Sequence, residues 1–302
     1  MKVLVTGIAG FIGSHLAERL LAQGHEVVDI DNLSTGSAEN VPPGITWKQG
    51  DISCDCTWRW TYLHDADVIY HLAASYRDPT AWQRDAQTNV MGTIAVLNAA
   101  RRTGAKIVYA QTSLCYGLAP ASPVRIDAPL DPRGSYAVSK TAAESYIRDG
   151  GLPYVSLRLA NIYGPRNLSG PVPAFYRRLE AGQPCTVVDS RRDFVYVGDA
   201  VDLFVRAADG QGTFHLASGT DHAVAEVYDA VTDAMGLASF YAPPIVPRGP
   251  DDAATLLLDP SGTQDAFGWQ ARTPLADGVA RAVAWYREHG VRETFTHLGA
   301  KG

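Results

Sequence analysis

The feature that most constrains this chain is its opening, MKVLVTGIAGFIG. Val3, Leu4 and Val5 make a short apolar run with β-branched members, which reads as a buried strand of a parallel sheet. The run breaks at Gly7, Gly10 and Gly13, and an apolar helical pattern follows through Phe11, Ile12, Leu16, Leu20 and Leu21. Strand, glycine turn and helix in that order are the start of a dinucleotide site. Gly7 permits the tight turn, Gly10 lets the backbone approach a pyrophosphate, and Gly13 lets the helix lie close to the sheet. The helix N-terminus offers free N–H groups to the phosphates. The spacing is G-x-x-G-x-x-G, one residue longer at the first gap than G-x-G-x-x-G.

The rest of the chain extends this start. His25–Asp31 (HEVVDID) predicts a second buried strand that ends in acid. Asp31 lies about twenty residues past the glycines, where a ribose-binding carboxylate belongs, so NAD is favoured over NADP. Thr46–Asp51 predicts a third strand, with Ile52 placed to cover an adenine face. Ala66–Ala73 predicts a fourth, closing on His71, Leu72, Ala73 and Ala74, where small residues let a cofactor cross the sheet edge. Thr88–Arg102 reads as an amphipathic helix, Ala105–Ala110 as a fifth strand running into Gln111, Thr112 and Ser113, and Tyr154–Leu159 as a sixth. Strands alternating with helices give the α/β class and a Rossmann-type, doubly wound parallel sheet.

Pro120–Arg133 is rich in proline and aspartate and reads as a loop over the site. From Tyr163 onward, proline and glycine become frequent and segments shorten. The expected division is a nucleotide-binding domain over 1–163 and a smaller α/β substrate-binding domain over 164–302. Segments near 195–216 return to the first domain. Pro274–Gly290 reads as a final helix.

Composition narrows the function. A chain of 302 residues with 46% hydrophobic content can bury a sizeable core. A net charge of -6 disfavours nucleic acid as a partner. No apolar run is long enough to span a bilayer, and no cleavable signal pattern opens the chain, so no membrane partner is expected. Four cysteines without a framework spacing suggest a reducing, cytoplasmic setting. Cys54 and Cys56 could share a metal or a redox bond, but a closed zinc site needs four ligands, so no metal is expected. Cys185 reads as core. His64, His215 and His222 have no partner nameable from sequence.

The chemistry centres on Tyr136 and Lys140, four residues apart and so on one face of a helix over Ser135–Asp149. A free phenol titrates near pH 10, and a neighbouring ammonium favours the phenolate. Tyr136 can then exchange a proton while a nicotinamide exchanges a hydride. Lys140 can also bond the nicotinamide ribose.

These residues, together with TGIAGFIG (Thr6–Gly13), DN (Asp31–Asn32), GDI (Gly50–Ile52), HLAA (His71–Ala74), NVMGT (Asn89–Thr93), YAVSK (Tyr136–Lys140), NIYGPR (Asn161–Arg166) and RRDFVYVGDAV (Arg191–Val201), resemble the extended short-chain dehydrogenase/reductase family, specifically its nucleotide-sugar epimerases and dehydratases. The resemblance implies a bound NAD that is regenerated within each cycle. Gly7, Gly10, Phe11, Ile12, Gly13, Asp31, Asn32, Asp51, Ile52, Leu72, Ala73, Ala74, Asn89, Tyr136 and Lys140 would serve the cofactor. It also implies a nucleoside-diphosphate-sugar substrate, most often UDP-linked, and a homodimer in which Thr88–Arg102 and Ser135–Asp149 pair with their copies. Tyr136 would be the base for the sugar 4-hydroxyl, with Thr112 orienting that hydroxyl and Ser113 beside it. Asn161 would touch the sugar or its phosphates, with Arg166 in the same motif. Arg192 and Arg248 would hold the diphosphate, a task suited to guanidinium forks. For Arg192 the competing reading is an ion pair with Asp193 or Asp199.

Departures from the family bear on the reaction. In the run Thr112, Ser113, Leu114, Cys115, Tyr116, leucine stands where the 4,6-dehydratases carry a proton-abstracting glutamate. Epimerisation at C4 of a UDP-hexose or UDP-hexosamine is therefore favoured. The alternative is elimination with Cys115 as acid/base, its thiol activated by a nearby cation; otherwise Cys115 is a small buried hydrophobe. A further alternative is a non-catalytic NAD sensor. Tyr76 and Arg77, just past HLAA, are expected to face the sugar and tune the substrate, with a surface loop as the other reading. Thr186–Arg192 is a few residues shorter than its counterpart in the family.

Overall fold

The computed structural model describes residues 1–54, 57, 65–76, 78, 80–119, 121–237, 242–250, 252–291 and 293–294. β1 (Lys2–Thr6), β2 (Glu26–Asp31), β3 (Thr46–Gln49), β4 (Val68–His71), β5 (Lys106–Thr112), β6 (Tyr154–Leu159) and β10 (Gly212–Leu216) build one sheet in the order β10-β6-β5-β4-β1-β2-β3. Every pairing in it is parallel. The strand order reverses beside β1, which is where an open α/β sheet receives its ligand.

Alternation along the strands fills two cores. On one face Val3, Val5, Val27, Tyr70 and Val108 meet Leu16 and Leu20 of α1 (Phe11–Ala22). The other face sets Leu4, Val28, Ile30, Ile69, Ile107 and Tyr109 against Val96, Leu97, Ala143 and Ile147. Those covering residues belong to two helices. The first begins as α2 (Trp82–Asp85), passes through a π-helical turn over Ala86–Met91 and continues as α3 (Gly92–Thr103). The second is α4 (Gly134–Asp149). The π-turn was not predicted: the sequence reads as one regular helix from Thr88. Such turns are frequent at functional sites.

Beyond Tyr163 the chain forms α5 (Pro171–Glu180), α6 (Val197–Arg206), α7 (Val224–Met235), α8 (Ser261–Phe267) and α9 (Leu275–His289). A small sheet orders β11 (Asp221–Ala223), β9 (Arg191–Tyr196) and β13 (Thr255–Leu256), with β7 (Asn161–Tyr163) also on β9. β8 (Val187–Val188) pairs with β12 (Ile245–Val246). A third core, with Tyr163, Phe175, Tyr176, Val227, Val231, Val283 and Tyr286, lies among these elements. The chain also returns to the large sheet: Val201, Leu203 and Phe204 of α6 join the α1 core, and β10 extends the sheet beyond β6.

Two local expectations change. β3 stops at Gln49, before Asp51. Residues 121–133 do not line the cleft described below; Val124 is buried and bridges Leu258 instead. The cis bond Ser122–Pro123 lies in this stretch. Cys54 is disulfide-bonded, and Cys56 and His64 lie outside the described residues.

Candidate active site

A cleft of about 1430 Å³ runs over the C-terminal ends of the central strands. Gly7, Gly10, Phe11, Ile12, Gly13, Asp31, Asn32, Asp51, Ile52, Leu72, Ala73, Ala74, Tyr76, Thr112, Ser113, Tyr136, Lys140, Asn161, Arg166 and Arg192 all line it. Arg77 lies outside the described residues.

At the glycine turn the packing leaves no room for side chains. A Cβ on Gly7, which sits at φ +83°, would come 2.9 Å from the Ala73 amide nitrogen, and one on Gly13 would come 2.1 Å from the Gly7 carbonyl oxygen. α1 starts after Gly10 with no side-chain cap, so its first-turn amides are left for another acceptor. Asp31 accepts from the amides of Ala9 (3.0 Å) and Leu33 (2.7 Å), tying the second strand to the turn. Burial raises its carboxyl above the usual range. Asn32 donates to Asp51 at 3.0 Å. An uncapped helix start, a turn too tight for side chains and a strand-end carboxylate fit a dinucleotide.

The HLAA turn is held by a buried chain of hydrogen bonds. Thr93 Oγ1 donates to the Asn89 carbonyl (2.6 Å) and accepts from His71 Nε2 (2.9 Å). His71 Nδ1 accepts from Thr6 Oγ1 (2.8 Å), which accepts from the Ala73 amide (3.2 Å). This direction requires a neutral imidazole, and burial holds His71 down at about 3.

Asn89 does not reach the cleft. It is buried, donates to the Ser75 carbonyl and to Ser139 Oγ (both 2.9 Å), and accepts from the Ser75 amide (2.8 Å). Its place is behind the cofactor-facing wall, as a positioning residue.

Tyr136 and Lys140 share one face of α4, as their spacing predicts. Tyr136 packs edge-on against Tyr76, ring centroids 6.3 Å apart. Lys140 is 2% exposed, and its Nζ stands 4.0 Å over the Tyr109 ring. Burial pulls its ammonium down to about 7, against the opposing charge of Glu144. The expected lowering of the phenol is absent from the protein alone: burial first, then Tyr76 and Asp85, push Tyr136 above its ordinary value. Thr112 Oγ1 accepts from the Leu114 amide at 3.2 Å and still faces the cleft, as does the Leu114 side.

Cys115 leaves the candidate set. It is 0% exposed in the core with Tyr116 and Val124, outside the cleft lining, and burial pushes its thiol up to about 12. The nearby cation, Arg158, opposes this by less. Arg158 is itself committed to Glu144 (2.8 Å, both side chains under 10% exposed) and donates to Tyr116 Oη at 2.7 Å. Tyr116 Oη donates to His215 Nε2 (2.7 Å), whose Nδ1 donates to the Asp259 carbonyl. His215 thus has partners that no local pattern revealed; His222 pairs with Glu226 at 2.9 Å.

The arginines divide. Arg192 lines the cleft but pairs with Asp252, neither Asp193 nor Asp199. Asp193 caps Ser218 and Gly219, and Asp199 accepts from the amides of Arg272 and Thr273. Arg166 binds Ser14 (3.2 Å) and Glu18 (2.5 Å) of α1, which directs it to the glycine-turn helix. Arg248 is exposed and outside the cleft lining. Asn161 donates to the Asp193 carbonyl at 3.2 Å.

The fold and site define a dinucleotide-dependent enzyme with a tyrosine–lysine pair at its centre. The chain belongs to the NAD dependent epimerase/dehydratase family, whose model matches residues 3–215. It is similar to the Bordetella bronchiseptica enzyme WbmH, solved with NAD+ (47% identity, 96% of this chain and 99% of that one, TM-score 0.92). It also resembles WbmG of the same organism, solved with NAD and UDP (40% identity, 99% and 98% covered, TM-score 0.91). Among curated proteins it is 36% identical to the UDP-glucose 4-epimerase of Mycolicibacterium smegmatis, over 95% of this chain and 99% of that one.

Proposed function

We propose that the protein is an NAD-dependent 4-epimerase of a UDP-hexose or UDP-hexosamine. The observation that carries this reading is one cleft lined by the uncapped glycine turn, Asp31, Thr112, Tyr136 and Lys140, with Leu114 where an eliminating enzyme needs a base. The relatives solved with NAD and UDP, or named for UDP-glucose epimerisation, support it.

The turn over Gly7–Gly13 and Asp31 would hold the pyrophosphate and adenine ribose of NAD, which when bound accepts and returns a hydride. Tyr136 takes the proton of the sugar 4-hydroxyl and later returns it to the same oxygen, after the 4-keto sugar has turned its other face to the cofactor. Lys140 favours the phenolate and anchors the nicotinamide ribose. Thr112 orients the hydroxyl. Arg192 holds the diphosphate once Asp252 yields one of its bonds. Elimination through Cys115 loses its support, because a fully buried thiol faces no substrate.

We further propose the division at 1–163 and 164–302 and a homodimer; the Cys54 disulfide removes the cysteine argument for a reducing, cytoplasmic setting. Trp82, Met91, Val138 and Tyr146, each at least half exposed on the α2–α3 helix and α4, support an intermolecular four-helix contact. A monomer by sizing with light scattering would end the dimer proposal.

The decisive test is incubation with UDP-glucose, UDP-GlcNAc and UDP-GalNAc in deuterated water, followed by NMR. Epimerisation inverts C4 and keeps the C5 proton. Elimination exchanges or removes that proton, and a sensor changes nothing. Tyr136→Phe should lower turnover by about 10²–10⁴-fold; parental activity would refute the role of Tyr136.

A further inference from the structure

Asp85 is a buried carboxylate outside the cofactor and substrate sets. It sits on α2 at 1% exposure. Its Oδ1 accepts from Ser75 Oγ at 2.7 Å, and its Oδ2 has no hydrogen-bond partner. A half-satisfied buried acid is costly, so its retention calls for a use.

Its surroundings indicate one. Ser75 is gripped by Asn89 through both backbone groups, Asn89 also donates to Ser139 Oγ, and Ser139 Oγ donates to the Tyr136 carbonyl at 2.9 Å. Tyr76, next in the chain after Ser75, packs its ring on Tyr136. One continuous network therefore locks Asp85, Ser75 and Tyr76 to the turn of α4 that carries Tyr136, and the π-helical turn at Ala86–Met91 supplies its central Asn89.

We infer that Asp85, held by Ser75 in the wall beside Tyr76, is the positioning residue that sets the pH at which Tyr136 exchanges its proton. The inference rests on the proposed role of Tyr136. Lys140 follows that phenol one turn along its own helix with its Nζ over the Tyr109 ring, and the titratable groups near the phenol from the packed elements are Tyr109 from β5, Tyr76 from the loop after β4 and Asp85 from α2. Lys140 favours the phenolate. Asp85 is the sole carboxylate among them and favours the phenol by charge repulsion. Together they poise the tyrosine as donor as well as acceptor, which a reaction that removes a proton and restores it requires.

The test uses the NAD-loaded protein. Tyrosinate absorbance at 295 nm, parent minus Tyr136→Phe, is followed against pH, as is the acid limb of kcat on UDP-glucose. Asp85→Asn should move both midpoints down by about one pH unit, with KM unchanged. Asp85→Ala, which leaves neither charge nor amide, should give the same shift and carries the test if the asparagine variant does not fold. Asp85→Glu keeps the charge and should hold the parental midpoint. Charge-removing variants with the parental midpoint overturn the inference, as does an equal shift in Asp85→Glu. Parental turnover in Tyr136→Phe would instead remove the role of Tyr136, so the two failures are distinguishable.

Discussion

Asp29 offers the sharpest test of the physical reasoning. It lies mid-strand in β2 with its side chain 0% exposed, and neither carboxylate oxygen meets a donor in good hydrogen-bond geometry, the amides of Ile30 and Ile8 being near but poorly aligned. Burial, and then the charge of Asp31, raise its carboxyl well above its ordinary 3.8; the amides of Ile30 and Ile8 oppose this by less. The folded protein therefore keeps a proton that the unfolded chain releases. Stability falls as pH rises above the unfolded value and goes on falling until the folded carboxyl ionises. While the folded group stays protonated, each pH unit costs about 1.4 kcal/mol, so a carboxyl that keeps its proton throughout would cost about 3 kcal/mol from pH 5 to pH 7. Asp29→Asn has nearly the same shape and no proton to lose, so it removes this slope. Urea unfolding of parent and variant at pH 5, 6 and 7 should show the variant gaining stability relative to the parent by that amount across the interval. A difference between the two that does not change with pH would refute the assignment of Asp29 as a neutral acid.

Other expectations concern single contacts. Cys115→Ala should leave kcat and KM unchanged while lowering unfolding free energy by about 1 kcal/mol, read by urea titration; lost turnover in a folded variant would return the thiol to the mechanism. Glu144→Gln strands the buried Arg158 guanidinium and should cost about 3–5 kcal/mol by the same method. Gly13→Ala drives a Cβ into the Gly7 carbonyl and should abolish NAD retention, measured by releasing bound nucleotide from the purified protein. Retained NAD would show that the turn can yield.

Much of this architecture was legible because it is written locally. The strand Tyr154–Leu159 has the bounds its apolar run predicts, and the glycine spacing located the turn of α1. Tyr136 and Lys140 met in the cleft because helical periodicity alone puts them on one face. What escaped depends on partners distant in sequence. Arg192 finds Asp252 sixty residues away, whereas the sequence offers Asp193 and Asp199 close by. Asn89 and Arg166 stand in motifs that suggest ligand contact, yet their side chains are spent on Ser75, Ser139, Ser14 and Glu18. Cys115 sits between cleft-lining Leu114 and buried Tyr116, and a short 3₁₀ turn over Ser113–Tyr116 decides which way each side chain points. Asp29 lies inside an apolar strand, and a one-dimensional pattern does not reveal which face leaves a carboxylate poorly met by donors.

The return of β10 to the large sheet has a practical corollary. Severing the chain after Tyr163 would strip β6 of its outer neighbour and bare a row of unpaired amides and carbonyls, the kind of ledge on which chains stack into aggregates. It would also uncover the apolar side of α1 that Val201 and Phe204 shield. The amino-terminal half is therefore not a portable module: a tagged fragment ending there should come out of expression insoluble, and fragments meant to reassemble would have to carry α6 and β10 along with the nucleotide site.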